Sequence, residues 1–258
     1  MSLIAIQYRL VPEAPVLVAA NREENYERLT GSPSIQSGKP RILCANDEDS
    51  SGTWLGVNQN GLFVAVTPRR KVIPAFISRS RGLLVKDMLR TGSAREAVDL
   101  CLEEVMANKY TGANFVAADA EGGWVVHAGD DINAVELEEG LNIVSDRDLN
   151  DPRDERVQMA KRLLTLQTLD SPVKFLAIAS KVFARAPSPP GRPSMVMRDK
   201  ESGTVCSTLI SLGQKPRDAI YQYAKSAPDE SKYEDFSPML RDILSRGLRE
   251  AKAAKANA

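Results

Sequence analysis

Histidine is nearly missing from this sequence, with His127 alone among 258 residues. Any zinc site that needs two histidines is therefore excluded. A Ser-His-Asp triad would have to use His127, which lies in the strand-like stretch GWVVHAG, residues 123 to 129. There a packed strand histidine is the expected reading. Cysteine is also scarce. Cys44, Cys101 and Cys206 are odd in number and have no C-x-x-C spacing, so they read as reduced thiols in a cytoplasmic protein. Charge bias is lacking as well, with 34 Lys+Arg against 34 Asp+Glu. A neutral chain has no electrostatic pull toward nucleic acid or an acidic membrane, and neither is expected as a partner. The basic run Pro68-Arg69-Arg70-Lys71 reads as a solvated loop. No apolar run approaches the ~20 residues of a membrane span, and the N-terminus has no signal-peptide pattern. No cofactor is expected, since haem would have one histidine and no cysteine pattern to bind it.

What is present is a chain long enough to bury a substantial core. Its first third reads as strands. Ser2 to Tyr8 and Pro15 to Ala20 are short apolar runs separated by the turn residues Pro12 and Pro15. The second run passes directly into Asn21-Arg22-Glu23-Glu24, where the strand is expected to end. In GTWLGVNQNGLFVAVT, residues 52 to 67, Asn60-Gly61 between apolar runs signals a hairpin, because both residues tolerate positive φ. A second hairpin turns at Glu121-Gly122-Gly123, and runs at 134 to 137 and 141 to 144 extend an antiparallel meander.

Helices interrupt the strands. Leu83, Leu84, Val85, Met88 and Leu89 form one apolar face. Ser93 with Glu96 is a capping box, opening a helix whose stripe is Ala97, Val98, Cys101, Leu102, Val105 and Met106. Cys101 is thus a core residue. Asp151-Pro152 and Ser171-Pro172 are expected to open helices near 152–168 and 172–184. APSPPGRPS, residues 186 to 194, reads as a rigid loop, and Thr204 to Leu212 with Asp218 to Ala224 as an antiparallel pair. Ser237-Pro238 opens a last helix that ends in a fraying tail. No internal repeat or domain boundary appears, so residues 1 to 258 read as a single layered α+β domain.

Two features carry possible chemistry. Ser2 follows Met1, and a small second residue permits removal of the initiator methionine. The freed α-amine, with a reference pKa of ~7.7–8.0, could act as base for its own hydroxyl. The polar cluster could supply an amide from Asn21 and a guanidinium from Arg22 to an oxyanion or a carboxylate. Each feature also has an ordinary reading: many chains begin Met-Ser, and Arg22 could simply pair with Glu23, Glu24 or Asp146. Trp54 is expected to be chiefly structural, with much of its ring buried.

Asn21-Arg22-Glu23-Glu24 near the N-terminus resembles the signature of the NRDE family, also called the transport and Golgi organization 2 family. Four further stretches are similar to that family in order: GTWLG at 52–56, SRSRGLLVKDML at 78–89, YTGANFVAAD at 110–119 and NIVSDRDLNDPRDER at 142–156. The resemblance implies a branch of the N-terminal nucleophile hydrolases, a four-layer αββα sandwich of two antiparallel sheets between helical layers. It implies Ser2 as nucleophile, Asn21, Arg22 and Glu23 beside it, and Thr67 and Asp146 as substrate-binding positions. The activity implied is hydrolysis of linear amide bonds. The alternative is carriage of a small apolar ligand, such as haem or an acyl lipid, on the same fold. This chain departs from the family pattern in having Ser2 for the usual cysteine and Glu23 for the usual aspartate. Pro68 and Asp146 stand where asparagine is frequent, and Val205 where arginine is frequent.

Overall fold

The computed structural model describes residues 2–72, 76, 79–187 and 193–256. Its strands are β1 (Leu3–Tyr8), β2 (Val16–Asn25), β3 (Thr30–Gln36), β4 (Ile42–Asp47), β5 (Leu55–Asn58), β6 (Phe63–Pro68), β7 (Ala113–Ala118), β8 (Gly123–Ala128), β9 (Ile132–Glu136), β10 (Gly140–Val144), β11 (Ser202–Leu212), β12 (Ile220–Ala224) and β13 (Glu234–Asp235). The helices are α1 (Arg81–Met88), α2 (Ala94–Ala107), α3 (Glu155–Leu164), α4 (Pro172–Phe183) and α5 (Ser237–Ala256). One antiparallel sheet has the order β10-β1-β2-β11-β12-β13, and the other is a meander in chain order from β3 to β9.

The period-2 alternation of side chains explains why the sheets stack. On β1, Ile4, Ile6 and Tyr8 enter the core between the sheets, while Leu3 and Ala5 pack toward α3 and α4. On β2, Val16, Val18 and Ala20 point inward, and Leu17 and Ala19 outward to the same helices. The second sheet does likewise: Leu43 and Ala45 join the central core, and Ile42 and Cys44 face α1 and α2. Strands apolar on both faces therefore require two sheets and two helical layers, the expected αββα sandwich. Helix α5 adds Leu240, Ile243 and Leu244 to the central core.

Most expected elements are present. Leu3 to Tyr8 pairs antiparallel with Val16 to Asn21. Ser93 accepts a hydrogen bond from Glu96 N, and the Glu96 carboxylate accepts from Gly92 N, one residue earlier than a standard capping box. Cys44, Cys101 and Cys206 are free and buried. Several expectations need correction. Strand β2 does not stop at Ala20 but carries the polar cluster inside it to Asn25, because β11 continues to pair with it there. Helix α3 starts after Asp154, not Asp151. The Asp154 carboxylate accepts from Arg156 N and Val157 N, while Asp151 is held by Arg153. The 134–137 and 141–144 runs are not hairpin partners: β9 closes the meander sheet and β10 pairs with β1 in the other. Strands β3 and β4 had no clear pattern in sequence. Pro33 interrupts β3, which is tolerable because β3 lies at a sheet edge. Part of the 186–194 loop lies outside the described residues.

Two glycines set the wall on which the site is built. A Cβ on Gly52 would lie 2.6 Å from the Gly82 carbonyl carbon, and Thr53 N donates to Gly82 O at 3.0 Å. Only backbone against backbone fits, so the chain before β5 seats directly on the first turn of α1. Gly52→Ala should cost about 1–3 kcal/mol, the range for overpacking, with a lower denaturant midpoint at unchanged slope in a urea titration.

Candidate active site

The register of β1 on β2 places Leu3 opposite Asn21, which brings Ser2 to the level of Arg22 and Glu23. Ser2 is buried, and its Oγ accepts a hydrogen bond from Glu23 N at 3.4 Å. A cavity of about 200 Å³ opens here. Its lining includes Ser2, Arg22, Glu23 and Glu24 from the first sheet, and Asp47, Thr53, Trp54, Thr67 and Pro68 from the second. Arg79, Ser80, Arg81 and Gly82 at the start of α1 complete one side.

Arg22 is buried, and its charge is answered locally. Nη2 lies 3.3 Å from Asp47 Oδ2 and 3.5 Å from Glu24 Oε2, and Nη1 donates to Thr30 Oγ1 at 2.7 Å. Arg28 joins the same carboxylates, at 2.7 Å to Asp47 and 3.3 Å to Glu24. Two guanidiniums thus share two carboxylates, a neutral set that makes burial tolerable. The Arg22 guanidinium also stacks on the Trp54 ring, 3.8 Å from its centroid, a contact of ~1–2 kcal/mol when desolvated.

Glu23 faces the other way. Its Oε1 accepts from Arg156 Nη2 at 3.0 Å and from Thr204 Oγ1 at 3.3 Å. Its Oε2 is buried with no hydrogen-bond partner among the described residues. Burial raises its pKa and outweighs the opposing pull of Arg156, so the carboxyl is pushed up to about 7.

The sequence-predicted residues are partly gathered. Ser2, Arg22, Glu23 and Thr67 line one cavity. The Thr67 hydroxyl is already committed, donating to Ser145 O at 2.6 Å. Asn21 is on the opposite face of β2 from Arg22, and its amide nitrogen donates to Phe183 O and Met195 O, both at 3.0 Å. Strand alternation therefore turns that amide into the helical layer. Asp146 is not among the lining residues. Arg22 does pair with Glu24, but Glu23 is held by Arg156, and the other partner is Asp47 rather than Asp146. Trp54 is only partly buried: it packs on the central core, yet also lines the cavity.

His127 is buried in β8 and committed. Its Nδ1 is 2.8 Å from Asn114 Oδ1, and its Nε2 accepts from Leu149 N at 3.3 Å, which assigns the ring proton to Nδ1. Burial and the neighbouring Arg69 lower its pKa. Among the described residues no three His, Cys, Asp or Glu side chains converge on a possible metal position. Asp47, Arg28, Arg156 and Arg81 went unnoticed in sequence. Their signals were the acidic run before Gly52-Thr53-Trp54 for Asp47, the arginines of SRSRG and DPRDER for Arg81 and Arg156, and for Arg28 its place four residues after Glu24.

The model of the family described as Transport and Golgi organisation 2 matches residues 1–221. The chain belongs to that family. Among curated proteins, none matches. Solved structures similar to this one include an N-acylethanolamine-hydrolyzing acid amidase ortholog from Caenorhabditis elegans, at 15% identity and a TM-score of 0.53. That match covers 81% of this chain and 92% of that one. A conjugated bile acid hydrolase mutant from Clostridium perfringens aligns at 11% identity with a TM-score of 0.52, covering 92% of this chain and 93% of that one. Penicillin V acylase from Agrobacterium tumefaciens aligns at 13% and 0.51, covering 87% and 83%. At such identities the likeness shows the fold alone: this member of the Transport and Golgi organisation 2 family has the architecture of the N-terminal nucleophile hydrolases. No helix among its described residues is long and apolar enough to cross a membrane.

Two outcomes follow for this site. Asp47→Asn removes one carboxylate from buried Arg22 and half-buried Arg28 and should lower unfolding free energy by about 3 kcal/mol in a urea titration. Glu23 is raised from 4.5 to about 7 on folding, so between those values the folded state binds more protons than the unfolded one. Stability should fall as pH rises through that window. Thermal melts of Glu23→Gln over the same range should show a flatter dependence on pH than wild type.

Proposed function

We propose that this chain hydrolyses linear, non-peptide amide bonds, with Ser2 as an N-terminal nucleophile exposed by loss of Met1. The observation that carries the reading is Ser2 lining a cavity beside a buried carboxyl, with one oxygen, Glu23 Oε2, unpartnered among the described residues. A free α-amine on Ser2 would give that oxygen a donor. The serine Oγ attacks the amide carbonyl carbon, and its proton passes to the neutral α-amine and then to the departing amine. Water hydrolyses the resulting acyl-serine ester, and the carboxylate product leaves with Ser2 restored. The Glu23 N–H that donates to Oγ favours negative charge developing there. Arg22, fixed by Asp47, Glu24 and the Trp54 ring, contributes a static positive potential. Asn21 acts through position, anchoring β2 on Phe183 O and Met195 O. Thr67 shapes the wall, and no role is assigned to Asp146.

A second reading, carriage of a small apolar ligand without chemistry, is favoured by one feature. Pro68 lines the cavity and has no N–H or side-chain donor to offer a tetrahedral intermediate.

The test is a panel of N-acyl amides assayed with wild type, Ser2→Ala, Ser2→Cys and a Met1-retained form, with intact mass reporting the N-terminus. Wild type should turn over slowly, Ser2→Cys faster, and the other two at background. The rate should rise with pH as the α-amine loses its proton, around its reference ~7.7–8.0. Glu23→Gln should move that rise to lower pH, because a neighbouring carboxylate stabilises the ammonium. Equal cleavage by Ser2→Ala and wild type would refute the N-terminal mechanism. If all forms are inactive while an apolar ligand binds, the carrier reading replaces it.

A further inference from the structure

Four arginines line the cavity, and they are not equivalent. Arg22 and Arg28 share Glu24 and Asp47. Arg79 is 2.6 Å from Asp87. Arg81 has no carboxylate within ion-pair distance among the described residues, and none of the remaining residues is an aspartate or glutamate. Among the described residues its one hydrogen bond goes from Nη1 to Gly112 O at 2.9 Å, which leaves most of the guanidinium donors without an acceptor there. Burial depresses its pKa, and the neighbouring Arg28 adds to that against the attraction of Glu24. Arg81 is half-buried on the cavity wall, and a partly desolvated guanidinium is ordinarily answered by a carboxylate.

Both Arg81 and Ser2 line this cavity. We propose that the missing counter-charge is carried by the ligand: the cavity takes molecules with an anionic group, and Arg81 is the residue that binds it. A planar guanidinium with adjacent free N–H groups suits the two oxygens of a carboxylate, and it also accepts a sulfonate or phosphate. This narrows the substrate of the proposed hydrolysis to amides that carry a negative charge. It rests on that reading only for the amide bond, not for the anion.

Binding is measured in the Ser2→Ala background, where nothing is cleaved. The probes are N-hexanoylglycine, its uncharged analogue N-hexanoylglycinamide, and the simple anions acetate, sulfate and phosphate, followed by calorimetry and by thermal shift. The charged probe should bind about tenfold or more tighter than the neutral one, since hydrogen bonds to charged groups are the stronger kind. Added Arg81→Gln should abolish that preference and the stabilisation by simple anions. Added Arg81→Lys, which retains the charge, should keep part of both, and circular dichroism confirms that each variant folds. Equal binding of the two probes, an unchanged preference in Arg81→Gln, or no binding of any anion at millimolar concentration would each overturn the proposal. Anion binding through Arg81 in a protein that cleaves no amide as wild type or Ser2→Cys would leave this inference standing and remove the hydrolytic one.

Discussion

Everything at the site hangs on the register of β1 against β2, with Leu3 opposite Asn21. Both strands are buried on both faces, and each face belongs to a different core. A slip of β2 by one residue would drive Val16, Val18 and Ala20 into the helical layer and Leu17 and Ala19 between the sheets. It would also invert every group of the polar cluster, sending the Arg22 charge toward α4 and the Asn21 amide toward Asp47. The apolar pattern on two faces therefore specifies the register strongly, and the site inherits its geometry from that specification.

Given that register, the electrostatics follow from what each face can offer. Between the sheets Arg22 finds Asp47 and Glu24, with Trp54 beneath it, and becomes a fixed charge. On the helical face Glu23 finds Arg156 at the start of α3, yet burial still outweighs that partner. Adjacent residues of one strand thus have opposite fates: one charge is fully answered, and the other group holds its proton into the neutral range. Arg81 is a third case, a cation with a backbone carbonyl and, among the described residues, no carboxylate. Groups left incomplete beside a cavity are the places where a ligand or a freed terminus has something to supply.

The family model spans most of the chain, and the sandwich is shared with amidases and acylases at 11–15% identity. A fold of this kind hosts different activities by changing a few side chains at one strand edge. Here Ser2 and Glu23 meet at the edge of one sheet, and Pro68, at the end of β6 in the other, closes the same cavity.

The sequence alone determined the class of structure. Apolar runs in β1 and β2, the Asn60-Gly61 turn, the Ser93 cap and the Ser171-Pro172 helix start are local signals, and local backbone preference suffices to read them. It also brought out Ser2, through its place after Met1, and Arg22 and Glu23, through a polar cluster that directly follows an apolar strand and resembles a family signature. Tertiary structure alone decided how those residues are used. That β2 continues through its polar cluster depends on β11, some 180 residues later, pairing with it. That Asn21 faces the helices, that Arg22 meets Asp47 rather than Glu23, and that Trp54 is both core and cavity wall depend on which sheet lies opposite. Such pairings join segments distant in the chain. No periodicity within either segment encodes the partner, so the charge balance of the site exists only once the two sheets are stacked.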